Sequence, residues 1–258
     1  MTPNDEATKI LMHVGHDMAE LLAHCLADKV VRQDSHGWLG LSGVSAFADF
    51  NMGAVGYSAP TSLLADYVRE IRARNLSAIL IVDAASESLS AAAQDLGLTA
   101  AGTVPVMLRH AAPIATVQRG FTVRRAARAD VPVANALMTA AFALDRENVD
   151  RVLTPDYLSD SVETWLVVDA GVPIGCGTFV RTAHNVGIYC MSTPPEHQKR
   201  GIGRAVLEHA MQQYQDAGVT SFTLEATAQG RHLYEQAGFH TLMEAPVFVI
   251  GASTQFPT

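Results

Sequence analysis

The sequence predicts an α/β fold of the α+β type: a mixed, partly antiparallel central sheet flanked by helices, in two tandem related domains. Three observations predict it. First, short apolar runs alternate with amphipathic stretches of helix length, and several of the runs in the second half follow one another as a meander. Second, the chain echoes itself. SAILIVDAASESLSAAAQDLGLTAAGTVPVMLR, from Ser77, and TSFTLEATAQGRHLYEQAGFHTLMEAPVFVI, from Thr220, share one order: apolar run, small-residue turn, helix-like stretch, glycine followed by a hydrophobe, second apolar run. Asp83 and Glu225 are 142 residues apart, while the pairs Gly97/Gly238 and Pro105/Pro246 are each 141 apart. That period is too long for a solenoid and points to two related domains. Third, 258 residues that are 48% hydrophobic and 17% charged exclude a disordered chain and leave room for one large core or two small ones.

Taken in order, the first half opens with a helix over residues 7–31, and a second helix covers 62–74. No counterpart of the later meander is visible before residue 59, so the first domain reads as truncated or altered. Residues 111–120, which contain Pro113, form the link. In the second half a strand covers 121–124. Asp130 is expected to cap a helix over 131–144, with Pro132 in its first turn. Strands follow at 164–169 and 174–181 around an Ala170-Gly171 turn, and another at 186–193. The segment 203–217 places Val206, Leu207, Ala210, Met211 and Tyr214 on one helical face, and Gly218 suits the left-handed end. A strand at 219–226, a helix at 229–237 and a strand at 247–250 complete the reading.

Composition narrows the function. The net charge is −8, a poor basis for nucleic-acid binding, which depends on Lys and Arg. Cys25, Cys176 and Cys190 match no disulfide or zinc spacing and read as buried free thiols. Asp5 and Glu6 stand where a signal peptide would be basic, and no apolar run has the length of a membrane span, so a cytoplasmic protein is expected. His13, His16 and His24 lie near Asp17 and Glu20, but HExxH is absent; these read as surface or interface histidines, and no metal is expected.

The chemistry concentrates in residues 190–204, CMSTPPEHQKRGIGR, where a strand runs through a short loop into a helix. Gly201 and Gly203 allow close approach of a ligand to the backbone. The first amides of the helix lack internal partners and favour an anion. Lys199, Arg200 and Arg204 add positive charge. The pattern is not GxxxxGK[ST], nor is it GxGxxG, because Val206 holds the third position. Q-x-x-G-x-G over Gln198–Gly203, followed about 30 residues later by LYEQAGF over Leu233–Phe239, resembles the GNAT superfamily of acyl-CoA N-acyltransferases. The resemblance covers residues 121–250, with Arg124 and Asp130 placed as in the family's opening segment.

The resemblance implies a catalytic GNAT domain at 119–258 and a degenerate GNAT-like domain at 1–112. The latter has no cofactor loop: Ala59, Pro60 and Thr61 stand where Gly201, Ile202 and Gly203 would be, and Ala93 stands near the position of Tyr234. It implies acetyl-CoA as co-substrate, with no metal. Met191, Ser192 and Thr193 would present main-chain groups to the pantetheine arm. Gln198, Lys199, Arg200, Gly201, Ile202, Gly203 and Arg204 would hold the diphosphate. Tyr234 would protonate the departing thiolate after direct transfer to the amine of a small molecule or peptide, the oxyanion being held by a strand N–H near Met191. The base is not visible: residues 184–187, where some members carry a carboxylate, read His-Asn-Val-Gly. His184, Glu225 and, ahead of both, a water relay are the candidates. Cys190 has no base beside it that would make it a nucleophile. Asp145 and Glu147 read as solvated loop residues. A non-catalytic acyl-CoA-binding or regulatory protein is the alternative, and the acceptor cannot be read.

Overall fold

The computed structural model describes residues 3–44, 48–114 and 120–251. Residues 115–119 of the expected link therefore lie outside the described residues. Two compact units emerge. The first holds the chain up to Met107, Glu225–Arg231 and the stretch from Thr241. The second holds Leu108–Leu224 and His232–His240.

In the first unit, helix α1 (Pro3–Leu21) precedes strands β1 (Val30–Asp34), β2 (Gly37–Leu41) and β3 (Asn51–Val55), which pair antiparallel in sequence. Helix α2 (Thr61–Ala73) crosses over to β4 (Ala78–Val82), which lies parallel to β3. Helix α3 (Glu87–Asp95) and β5 (Thr99–His110) follow. The strand order is β1-β2-β3-β4-β11-β5, where β11 (His240–Ile250) is the last strand of the chain and runs antiparallel to β4, with Val247 opposite Ile81. Leu39, Leu64, Tyr67, Ile71, Leu80, Val82 and Phe248 share its core. Helix α1 docks on β2 because Gly15 has no side chain: a Cβ there would sit 2.4 Å from Trp38 Cγ. The Trp38 indole N–H then donates to the Leu11 carbonyl at 2.8 Å.

In the second unit, β6 (Thr122–Arg125) and helices α4 (Val131–Phe142) and α5 (Arg146–Val152) precede an antiparallel meander of β7 (Val162–Asp169), β8 (Val172–Arg181) and β9 (Asn185–Ser192). Helix α6 (Ile202–Asp216) returns the chain to β10 (Ser221–Glu225), parallel to β9, and α7 (Arg231–Gln236) follows. The order is β10-β9-β8-β7-β6. Alternation along the strands covers both faces. Leu166 and Cys176 pack under Ala134 and Leu137 of α4, while Trp165 and Phe179 meet Tyr214 of α6. Burying an aromatic or aliphatic side chain of this kind contributes about 1.5–3 kcal/mol.

The mixed sheets flanked by helices agree with the expected fold class, and the echo has a structural form. Helices α3 and α7 end alike: Gly97 and Gly238 take positive φ (73° and 88°), and Leu98 N–H and Phe239 N–H reach back to Ala93 O and Tyr234 O, both at 3.0 Å. This double closure satisfies the last carbonyls of each helix.

Two expectations need correction. The first helix stops at Leu21, and residues 30–55 supply a β1–β2–β3 meander, so the first unit has its counterpart of β7–β8–β9. Val30 and Val31 belong to a strand with alternating half-buried and exposed positions, while β2 is GWLGL, whose glycines hide its strand character. Asp130 does not cap α4. Its own backbone is helical, and its carboxylate accepts from both Arg124 Nη atoms (2.7 and 2.8 Å) and from Ala127 N–H (2.8 Å). The Arg124 guanidinium holds its pKa down at about 2.

Candidate active site

The site begins with a defect in β9. Its pairing with β10 covers Asn185/Ser221, Val186/Phe222 and Gly187/Thr223 and ends there. Asn185 fixes this pairing: its Nδ2 donates to Thr223 Oγ1 at 2.9 Å, and its Oδ1 accepts from Ser221 Oγ at 2.9 Å. On the other side β9 bulges. Tyr189 pairs with Thr178 and Ser192 with Cys176, so Cys190 and Met191 together face Gly177 alone. Cys190 takes φ 50°, a left-handed conformation that costs a non-glycine residue about 1–2 kcal/mol. Ser192 Oγ donates to Cys190 O at 2.8 Å and helps hold the kink. Gly177 is bare where Met191 leans on it: a Cβ would lie 2.4 Å from Met191 Sδ.

From the bulge the chain enters a 3-10 turn at Pro195–His197. Gln198 Nε2 donates to Thr193 O at 3.3 Å. Lys199 (φ 60°) and Gly201 (φ 78°) are both left-handed, and Gly201 is the N-cap of α6 with no side chain capping it. Ala205 N–H is the first to find an intrahelical acceptor, Gly201 O, at 2.9 Å. The amides of Ile202, Gly203 and Arg204 precede it, at a dipole end that favours an anion. The helix settles onto the sheet because Gly175 has no Cβ, which would come within 2.5 Å of Ile202 Cγ2.

The three cations differ. Arg200 pairs with Asp169 at 2.6 Å and lies over the Phe121 ring, so it ties the loop to the end of β7. Arg204 Nε donates to the buried carboxylate of Glu208 at 2.6 Å. Lys199 is exposed, with no ion-pair partner among the described residues.

Tyr234 is buried on α7, its ring packed edge-on against Phe239 with centroids 5.8 Å apart. Burial, and next the neighbouring Cys190, raise its pKa, so the phenol keeps its proton at neutral pH. Tyr234 therefore lies within electrostatic reach of Cys190 in the bulge. His184 does not join them. It is exposed, precedes the first residue of β9, and lies about 20 Å along the strand from Cys190 at ~3.3 Å per residue. Glu225 ends β10. Its Oε1 is buried without a partner, and burial pushes its pKa up to about 7, against the pull of its own main-chain N–H. Asp145, by contrast, caps α5 by accepting from Asn148 N–H at 2.9 Å.

One cluster near the bulge carried no signal in the sequence. Thr164 and Thr178 are cross-strand partners on β7 and β8, with their hydroxyls 2.9 Å apart, and the buried Tyr157 hydroxyl joins Thr164. Burial raises the Tyr157 pKa, and Cys176 and Cys190 add to the effect; burial and then Cys190 push the Cys176 thiol up to about 12. The three cysteines are free, Cys25 and Cys176 buried and Cys190 half-buried. Among the described residues no group of His, Cys, Asp and Glu is arranged to hold a metal ion, and no helix is long and apolar enough to cross a membrane.

Residues 160–241 match the sequence model of the family described as Acetyltransferase (GNAT) domain. No curated protein matches the sequence. Among solved structures, the chain is similar to a GCN5-related N-acetyltransferase from Kribbella flavida, with a TM-score of 0.68 at 16% identity over 94% of this chain and 96% of that one. A tandem GNAT protein from the clavulanic acid biosynthesis pathway gives 0.60 at 13% identity over 98% of both chains. A GCN5-related N-acetyltransferase from Sphaerobacter thermophilus gives 0.59 at 15% identity, over 85% of this chain and 81% of that one. At these identities the likeness is one of fold, and it extends over both units.

Proposed function

We propose, from the premise that the second half of this chain carries a GNAT domain within a tandem GNAT-like fold, that the protein is an N-acyltransferase moving an acyl group, acetyl in the simplest case, from its coenzyme A thioester to an amine. One observation carries the reading. β9, whose pairing with β10 ends at Gly187, leads through the Cys190 bulge to the N-terminal amides of α6, so strand-like and anion-binding surfaces are contiguous. That combination fits acyl-CoA, an amide-rich arm attached to a diphosphate. When bound, the cofactor supplies an activated thioester.

The chain supplies the rest. Met191, Ser192 and Thr193 present the strand edge. Gln198, Lys199, Arg200, Gly201, Ile202, Gly203 and Arg204 form the cradle, with most of the grip from main-chain N–H groups, because Arg200 and Arg204 are already engaged in ion pairs. A β9 N–H beside Met191 steadies the carbonyl oxygen as charge develops there. Tyr234, kept protonated by burial, gives its proton to the leaving sulfur. Glu225, with a pKa near 7, is the preferred base for releasing the amine proton, directly or through water. Glu225 is thereby preferred here over an unassisted water relay and over the exposed His184. Residues 119–258 carry the cofactor. Residues 1–112 have no cradle of their own, since the N-cap of α2 is Pro60, which has no N–H. The acceptor is a small-molecule or peptide amine.

The test is release of free thiol from acetyl-CoA across a panel of amines, alongside direct titration of acetyl-CoA. Amine-dependent release supports the proposal. Tight binding with no release from any amine supports the non-catalytic acyl-CoA-binding alternative. Absence of binding removes both.

A further inference from the structure

A second feature of the second unit lies beside this site and shares Arg204 with it. A cavity of about 340 Å3 lies beside α6, lined by Arg109, His110, Arg204, Glu208, Gln236 and Gly238 among others. Its volume is within the range of small-ligand pockets, roughly 300–1,000 Å3. Arg109 is its unusual member. The residue is only 6% exposed, and its guanidinium forms no ion pair with any described residue. Nε donates to Ala237 O and Nη2 to Ala112 O, both at 2.9 Å, while Nη1 is buried with no acceptor.

Arginine does not lose its charge, and a buried charge without a counter-ion is costly. The two carbonyl contacts do not account for it. At the end of α7, Gly238 N–H and Phe239 N–H serve Glu235 O and Tyr234 O, and Arg109 Nε serves Ala237 O, a neutral acceptor that leaves the charge without a counter-ion. Glu208, the acid in the wall, is bonded to Arg204. Arg109 and Arg204 against the single carboxylate of Glu208 leave the cavity one negative charge short. Its donors also come from three segments: the end of β5, the first turns of α6 and the end of α7. Such an arrangement suits a tetrahedral anion with several acceptors better than a planar one.

We propose that this cavity is a phosphate-binding site, in which the guanidinium of Arg109, buried without a counter-ion, is the primary donor and His110 and Arg204 line the wall. The phosphate is either free or carried on a small molecule. It does not depend on acyl transfer by the neighbouring loop.

Inorganic phosphate is the first probe, titrated calorimetrically at constant ionic strength. Wild type should bind it and gain thermal stability in its presence. Arg109→Met should do neither. Should Arg109→Met fail to fold, Arg109→Lys keeps the charge but loses the fork and should bind roughly tenfold more weakly. Wild-type crystals soaked in selenate supply a readout needing no variant: an anomalous peak in the cavity beside Arg109 is expected. Comparing coenzyme A with its 3′-dephospho form identifies the source. A preference for the 3′-phosphate that Arg109→Met erases assigns the site to the cofactor's third phosphate; a preference unchanged by the variant assigns it to a separate phosphate compound. Equal phosphate binding by wild type and Arg109→Met, or selenate found only outside the cavity, overturns the proposal.

Discussion

Replacing Glu225 by glutamine tests two properties of one carboxyl. In the folded chain burial raises its pKa to about 7 from an ordinary 4.5. Between those values the folded chain binds a proton that the unfolded chain has released. Stability is therefore full below about pH 4.5, and it falls as the pH rises through 7. At 1.36 kcal/mol per decade of proton affinity, the whole loss is about 3 kcal/mol. Glutamine keeps the shape and cannot ionise, so the variant should unfold in urea with nearly the same free energy at pH 5 and pH 8, whereas wild type should be up to about 3 kcal/mol less stable at pH 8. Should the two proteins show the same pH slope, the carboxyl is solvated and the reasoning fails. Kinetics examine the second property. As the base, Glu225 should give a rate that rises with pH through about 7, and Glu225→Gln should remove that limb and lower kcat by about 10²–10⁴-fold. A lost stability slope with an intact kinetic limb would make Glu225 structural and return the base to water.

Other perturbations separate the parts of the site. Tyr234→Phe should leave acetyl-CoA binding unchanged in a direct titration and lower kcat by about 10²-fold or more, because the phenolic proton is needed only as sulfur departs. Gly201→Val places a branched side chain at φ 78°, should cost about 1–2 kcal/mol in urea unfolding, and should abolish cofactor binding measured calorimetrically. Gly175→Ala brings a methyl within 2.5 Å of Ile202 Cγ2 and 3.1 Å of Ser192 O, and overpacking of this kind should lower stability by about 1–3 kcal/mol and reduce Tm. Arg200→Ala removes an ion pair with both partners well exposed, so unfolding should change by under about 1 kcal/mol, while KM for acetyl-CoA should rise as the loop loosens.

The parts of the site visible in the sequence are those that lie close together along the chain. Gly201, Gly203 and the residues that follow announce a helix start because a glycine-bearing loop and an amphipathic stretch adjoin, and α6 begins at Ile202. The glycine-hydrophobe ends of α3 and α7 are similarly local, and both hold the same bonds. What stayed hidden depends on partners distant in sequence. Nothing in Cys190 announces a left-handed kink; that follows from two residues facing the single Gly177 of β8. Tyr157, Thr164 and Thr178 belong to common residue types, and only strand register brings their hydroxyls together. Asp130 reads as a helix cap until Arg124, six residues earlier, takes its carboxylate. Arg109 looks like an ordinary charged residue at a strand end, and its burial becomes clear only once α7 covers it.

The place of β11 has a consequence for how the chain is made. This strand contains the last residues of the described structure, yet it lies between β4 and β5, in a unit otherwise formed mainly from the first 107 residues. During synthesis that unit therefore waits with a slot open while more than a hundred further residues leave the ribosome. Until β11 arrives, the flank of β4 is an unsatisfied edge able to recruit any extended peptide nearby. Removing the 3′ end of the gene from the His240 codon onward should thus damage the beginning of the protein: a chain stopped before His240 should accumulate as aggregate, and a synthetic peptide spanning His240–Ile250, added during refolding, should restore solubility.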